Sequence, residues 1–344
     1  LMIYSASSYT SQVKYNDSTY FLKKQAIGVV AGLVAMFIVC KIPYKYYAAR
    51  LPLLRMRMIT LVYMVAVVMQ VLVLFIGSEV NGAKRWLSIG GLSIQPSEFT
   101  KIAVILVAAY FIQMKPEDMG KIQGIVRVFA PCSLLILLVA VENLSTAIVI
   151  FTIVFCMCIV ASKKKSLYWV LGGAGLAMMA LYVKFGDSFR SGRFEIWRNV
   201  ETNEKGYQIL QGLYAIASGG IFGSGLGESM QKLGFIPESH NDMIFAIICE
   251  ELGMVGAAIV IIMFIFMLWR ILNTAMNAPD LFTGMICTGV MIHIASQVVM
   301  NVAVVTNSMP STGIPLPFIS YGGTSVMILM AEMGLVLGIS SYCK

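Results

Sequence analysis

A chain of 344 residues with 58% hydrophobic and only 12% charged residues is not an ordinary soluble domain, in which about a quarter of residues are charged. The formal charge of +8 does not argue for a nucleic-acid partner, because the lysines and arginines gather in short loops between apolar runs, where they report membrane topology. The seven cysteines lie within or at the ends of apolar runs, so no disulfide framework is implied and core packing is their expected role.

In chain order, ten apolar segments can be drawn: 1–7, 22–42, 58–77, 98–114, 125–140, 144–161, 167–184, 242–269, 281–306 and 323–341. Most approach the ~20 residues that cross a ~30 Å hydrocarbon layer, and in lipid each must be helical to satisfy its own backbone. The first, LMIYSASS, reads as the outer end of a helix whose beginning lies upstream. The expected fold is an all-α polytopic membrane protein of ten transmembrane helices, the first truncated, forming one domain over 1–344. A large extracytoplasmic loop, 185–241, separates helices 7 and 8.

Orientation follows from the basic loops. Lys41, Lys45, Arg50, Arg55, Arg57, Lys115, Lys121, Arg127, Lys163, Lys164, Lys165, Arg270 and Lys344 fall on one face. Only Lys14, Lys23, Lys24, Lys84 and Arg85 occupy the opposite short loops. Both termini are then expected in the cytoplasm and residue 242 at the outer face.

The irregular sequence also collects on the outer face. Loop 78–97 (SEVNGAKRWLSIGGLSIQPS) is glycine-rich and ends in Gln95-Pro96-Ser97-Glu98, a helix start with Ser97 as candidate N-cap. Glu98 and Lys101 follow at i and i+3, either a local ion pair or a charged pair at a cavity rim. Glu142-Asn143-Leu144-Ser145-Thr146 forms a polar hinge between two apolar spans. The 57-residue loop 185–241 is too long for a mere connector. Within it, 206–218 reads as a helix lying on the membrane and 218–229 as a glycine-rich turn region. Its Arg190, Arg193, Arg198, Lys205 and Lys232 face Asp187, Glu195, Glu201, Glu204, Glu228 and Glu238 in number. His293, Gln297 and Asn301, at i, i+4 and i+8, make one polar stripe suited to interhelical hydrogen bonds. The following PSTGIPLPFISYGGTS is irregular backbone, tolerated at membrane depth only where protein or a wet cavity surrounds it.

The stretch 232–251, KLGFIPESHNDMIFAIICEE, is the densest in ionisable groups. Glu238, His240 and Asp242 stand at the mouth of an apolar segment, with Glu250 and Glu251 inside it. Ionisable groups at membrane depth are costly and therefore functional candidates. Asp242 is also a favoured helix N-cap residue, and a lone loop histidine is often merely solvated. Glu250 and Glu251 would lie roughly 12–13 Å deeper at 1.5 Å per residue, as structural acids toward the cytoplasmic half.

Three stretches together, GAKRWLSIGGLSIQPSEFTKIA, GLYAIASGGIFGSGLGESMQKLGFIPESHNDMIFAIICEELG and GIPLPFISYGGTS, resemble the SEDS family (shape, elongation, division and sporulation) over essentially the whole chain. The long outer loop and the ISYGG ending are more similar to the FtsW/SpoVE branch than to RodA. The resemblance implies a peptidoglycan glycosyltransferase that polymerises lipid II into glycan strands at the outer face of the bacterial cytoplasmic membrane, among membrane lipids and beside a class B penicillin-binding protein, a transpeptidase. The family's essential aspartate falls on Asp242, its PSE-x-x-K motif on Glu98 and Lys101, and its basic-Trp element on Arg85-Trp86. Where many members carry Q-P-D-L-G-T, this chain has Asn143, so no acid carries over there.

Under that resemblance Asp242 is the candidate general base. Glu98, Lys101, Arg85, Arg193, Arg198, Glu238, His240 and Ser320 are candidates for substrate binding, the cations answering a pyrophosphate leaving group. A divalent cation, magnesium or manganese, would suit the same phosphates, although no compact metal-ligand motif is present. Two rivals remain on physical grounds: a lipid II flippase and a non-catalytic scaffold that activates a partner synthase. Gathering of the charged motifs on the outer face, and the lack of a paired inverted repeat, favour the enzyme.

Overall fold

The computed structural model describes residues 1–49, 56–80, 83–89, 92–185 and 188–343. Arg50, Arg55, Asp187 and Lys344 fall outside the described residues, as do the side chains of Arg190 and Lys205.

The apolar runs become helices nearly where they were expected. In chain order these are α1 (Met2–Tyr15), α2 (Tyr20–Lys41), a single turn α3 (Lys45–Ala48), α4 (Met58–Ile76), α5 (Pro96–Met114), α6 (Ile122–Glu142), α7 (Leu144–Ala161) and α8 (Ser166–Phe185). The long loop supplies α9 (Ser188–Arg198) and α10 (Tyr207–Gly219), and α11 (Ile244–Met276), α12 (Leu281–Val305) and α13 (Gly323–Ser340) complete the set. Among the described residues, eight of these are long and apolar enough to cross a membrane. The helix expected at 206–218 is α10.

Loop 78–97 is more regular than its glycines suggest. It forms an antiparallel sheet of β1 (Ser78–Val80), β2 (Ala83–Ile89) and β3 (Leu92–Ile94), in the order β1-β2-β3. Ser78 pairs with Trp86 and Leu87 with Ile94. Gln95, not Ser97, is the N-cap residue of α5, with Pro96 in the first turn. Proline suits that turn because its missing N–H would have had no helical partner. Ser97 lies buried inside the helix.

The chain groups into two compact units. One comprises Leu1–Ile27, Tyr168–Phe266 and Gln297–Gly323; the other comprises Gly28–Leu167, Met267–Ser296 and Thr324–Lys344. The second unit is built around α5, whose 72% buried window far exceeds the 11% of α2. Ala103 to Ala109 form its continuously buried core, with α4, α6 and α7 packed on it. Here α13 meets α2 through Gly334 and Gly338: a Cβ at Gly334 would stand 2.6 Å from the Met36 carbonyl oxygen, and one at Gly338 would stand 3.0 Å from that of Cys40. Small residues four apart allow this backbone approach between spans.

The first unit is organised by a break in α11. Gly253 has φ 66°, so Ile244–Leu252 forms one short helix and 254–276 the longer apolar one. The loop after α10 folds back onto the break. Ser224 and Gly225 donate their N–H groups to the carbonyls of Glu250 and Glu251 at 2.9 and 3.0 Å, while Met254 and Val255 donate to Gly220 and Ile221 at 3.0 and 3.1 Å. A Cβ at Gly223 would overlap the Glu251 carbonyl oxygen at 2.2 Å. Glycine is therefore required there by space as well as by its φ of 81°.

The loop that folds onto this break also encloses Glu250 and Glu251. Glu250 accepts from the Ser229 hydroxyl and the Met230 amide. Glu251 takes Lys232 Nζ at 2.9 Å and the Ser5 hydroxyl. Both act as structural acids that hold the loop to α11.

Candidate functional site

In the first unit, the loop 232–243 that carries Asp242 is held along its length. Lys232 anchors its start through Glu251, Ser5 and the Gly227 carbonyl, the last at 2.6 Å. Ser239 donates to the Ala6 carbonyl at 2.9 Å. Glu238 occupies left-handed backbone at φ 49° and closes a turn by accepting the Asn241 N–H at 2.9 Å. Its carboxylate also takes the Asn241 side-chain amide at 3.0 Å. Such strain in a residue other than glycine costs on the order of 1–3 kcal/mol and persists only where surrounding contacts impose it.

Asp242 sits half-buried at the end of this loop. Asn301 on α12 donates one amide hydrogen to the Asp242 carbonyl at 2.8 Å and the other to Ile314 at 2.9 Å, tying the Asp242 loop to the proline-rich loop. The Asp242 carboxylate accepts from Gln208 of α10 at 3.5 Å, and a Cβ on Gly313 would lie 3.9 Å from its other oxygen. Burial pushes the Asp242 carboxyl up to about 6, its own amide opposes this, and the Glu238 charge adds to it. An acid poised there is mostly ionised at neutral pH yet still basic enough to take a proton.

Ser320 and His240 have defined partners. The Ser320 hydroxyl accepts from the Leu316 N–H and donates to the Asn241 carbonyl, at 2.8 and 2.7 Å. That geometry makes it a staple between the two loops. Gln25 of α2 braces the same place, accepting from the Gly322 N–H at 3.0 Å and donating to the Ser320 carbonyl at 3.4 Å. His240 is not a solvated loop histidine. Its ring is buried, 4.5 Å from that of Phe21 and 5.5 Å from that of Tyr321. Burial drives its pKa down to about 4 despite the Glu238 charge, so the ring is neutral.

Gln208 also lines a small open pocket of about 170 Å³, with Arg193, Ile196, Ile209 and Ser311. Arg193 donates to the Ser311 carbonyl at 3.3 Å. Arg198 is exposed at the end of α9, while Trp197 beside it donates to the Asn307 carbonyl at 2.8 Å. Ligand pockets for drug-sized molecules run from about 300 Å³, so this one takes only part of a large substrate.

The other predicted residues cluster in the second unit. Lys101 and Glu98 form a buried pair at 2.8 Å in the first turn of α5, the side chains 1% and 5% exposed. Ser325 of α13 donates to the second Glu98 oxygen at 3.0 Å. Arg85 on β2 donates to the Glu142 carbonyl at 3.2 Å, and the Glu142 carboxylate takes the Gln70 amide at 3.0 Å. A further buried pair, His293 with Glu332 at 2.8 Å, joins α12 to α13. Asn143 caps α7 by accepting the Thr146 N–H at 3.2 Å. A cap needs only an acceptor, which asparagine supplies as well as aspartate, so the departure at this position preserves the local structure.

Sequence reasoning missed Gln25, Gln208 and Gly313, and it read Asn301 only as part of a stripe. Gln25 follows Lys23-Lys24 at the polar start of an apolar run, where nothing distinguishes it, and Gln208 and Gly313 carry no signal either. Among the described residues no three His, Cys, Asp or Glu side chains gather as a metal site.

Helices long and apolar enough to cross a membrane, with a strained loop holding a carboxylate at a helix mouth, define a polytopic α-helical membrane protein with a built polar site. The chain belongs to the cell cycle protein family FtsW/RodA/SpoVE, whose model matches residues 1–344. It is 34% identical over 351 residues to stage V sporulation protein E of Bacillus subtilis, covering 100% of this chain and 93% of that protein. It is 36% identical over 350 residues to a probable peptidoglycan glycosyltransferase FtsW of Trichlorobacter lovleyi, covering 100% and 90%. The fold is similar to that of a solved chain described under structural coordination of polymerization and crosslinking by a peptidoglycan synthase complex, with a TM-score of 0.78, 23% identity and coverage of 99% and 96%. It is also similar to the rod shape determining protein RodA of Thermus thermophilus, with a TM-score of 0.65, 23% identity and coverage of 99% and 94%.

Proposed function

We propose that this chain is a peptidoglycan glycosyltransferase that polymerises lipid II at the outer face of the bacterial cytoplasmic membrane, with both termini cytoplasmic, and that Asp242 is its general base. Relatives spanning the whole chain bear the name probable peptidoglycan glycosyltransferase. The observation that carries the assignment to Asp242 is its setting: a half-buried carboxyl raised to about 6, fixed by Asn301 through its backbone and reached by Gln208, which also lines the pocket.

In the step proposed, a sugar hydroxyl attacks the anomeric carbon bearing the lipid pyrophosphate. The C–O bond to pyrophosphate breaks as the new glycosidic bond forms, and Asp242 takes the hydroxyl proton. Glu238 holds the turn that presents Asp242, and Ser320 fixes the same loop from the other side. Arg193, at the pocket shared with Gln208, is placed to receive an anionic part of the substrate; Arg198 on the same helix offers a second cation. Lys101 and Glu98 serve through their mutual pair and Arg85 through its hold on the α6–α7 hinge. One carboxylate with few protein partners fits a magnesium or manganese ion of the kind held largely by substrate phosphates; such an ion would offset charge on the leaving group. A class B penicillin-binding protein is the proposed partner, in line with the synthase complex of the similar solved chain.

The test is incubation of the purified protein with labelled lipid II and separation of products on a gel. Asp242→Asn should fold as the parent does and lose about 10²–10⁴-fold in rate, the usual contribution of a general base. Undiminished glycan synthesis by that variant overturns the assignment. Movement of lipid without polymer by the parent overturns the enzymatic reading itself.

A further inference from the structure

The segment between α10 and Asp242 has an inverted distribution of polarity. Two of its polar side chains point inward: Lys232 pairs with Glu251 of α11, the side chains 7% and 0% exposed, and Ser229 is bonded to Glu250, while Glu228 stays at the surface. Its large apolar groups point outward: Phe222 is 82% exposed, Met230 64%, and Ile221 and Leu226 60% each. From Gly219 to Pro237 the only ionisable residues are Glu228 and Lys232. In water this arrangement is unfavourable twice, through the exposed hydrocarbon and through the desolvated ion pair.

Hydrocarbon as solvent reverses both signs. Irregular backbone survives there only if its polar groups are paired within the protein, and several amides and carbonyls along 219–225 are paired with α11 on either side of Gly253. The same bonds place Gly220 and Ile221 against Met254 and Val255, the first turn of the apolar helix 254–276. Met254, Ile262 and Met263 of that helix are themselves 62–67% exposed, so the apolar face of the loop continues that of a span.

We propose that residues 219–235 are a membrane-inserted wedge, seated in the acyl chains of the bilayer with Phe222 and Met230 as its anchors, and are not an aqueous loop. The proposal stands apart from the enzymatic reading and is tested without an activity measurement. The full chain with Phe222→Trp, and separately with Met230→Trp, is reconstituted in phosphatidylcholine vesicles with or without bromine on the acyl chains. The emission added over that of the parent, which has four tryptophans of its own, is then read. The wedge predicts a blue-shifted added signal that loses most of its intensity to the brominated lipid and little to iodide in the water. Quenching by iodide with no effect of bromine overturns the proposal in favour of an aqueous loop. Protection from both quenchers overturns it in favour of a protein-covered face. The two positions are independent, so a variant that fails to reconstitute leaves the other to decide.

Discussion

At Asp242 the deciding quantity is how far burial lifts its carboxyl. A base must be ionised to accept a proton, so with a pKa raised to about 6 the rate of polymerisation should fall as pH drops through 6 and level off above it. Glu238 contributes to the rise by charge repulsion. Glu238→Gln should therefore move the acid limb of the pH–rate profile to lower pH, which a purely structural loss would not do. His240 makes a contrasting case two residues away. Its ring is neutral, buried and packed on Phe21 and Tyr321, so its contribution is shape. His240→Phe should retain polymerisation within about an order of magnitude, while His240→Ala should lower thermal stability by opening a cavity. Loss of turnover in a well-folded His240→Phe protein would return the histidine to the proton chemistry. None of this could be read from spacing alone: the sequence places both residues at a helix mouth, but burial and aromatic neighbours come from distant segments.

The elements show where local signals sufficed and where they failed. Apolar runs of span length located α2, α4 to α8, α12 and α13 within a few residues, and the start of α11, because in lipid length and hydropathy leave little else possible. The break at Gly253 was invisible, since glycine within an apolar run is common and only the loop folding back on it demands φ 66°. The strands of loop 78–97 did have a signal: Asn81-Gly82 and Gly90-Gly91 separate short alternating stretches, the pattern of two-residue hairpins. Reading the stretch as irregular hid it. The Lys232–Glu251 pair offers a test at this scale. Removing one partner leaves an uncompensated buried charge at a cost of about 3–5 kcal/mol, whereas an apolar replacement of both is often neutral. Lys232→Met should sharply lower the melting temperature, and Lys232→Met with Glu251→Leu should recover much of it. Failure of the double variant to recover would show that the charges themselves, not the packing, hold the loop.

At the scale of the whole molecule, a sparsely buried span depends on a few close contacts. The window of α2 is only 11% buried, yet this helix braces the Asp242 loop through Phe21 and Gln25 at its first turns and meets α13 further along. Between spans in lipid there is no hydrophobic force to restore a contact once lost; van der Waals packing at small residues carries it. The closest backbone approach of this crossing is at Gly334, where any Cβ meets the Met36 backbone at 2.6–3.2 Å. Since that neighbour is backbone, it cannot turn aside as a side chain would. Gly334→Val should thus cost at least the 1–3 kcal/mol typical of overpacking and lower the melting temperature of the purified protein, while Gly173→Ala, with nothing within 4 Å of the added carbon, should leave it unchanged. Equal melting of the two variants would mean that α2 is held elsewhere, by its first-turn contacts with the Asp242 loop, and that the α2–α13 crossing is incidental to the fold.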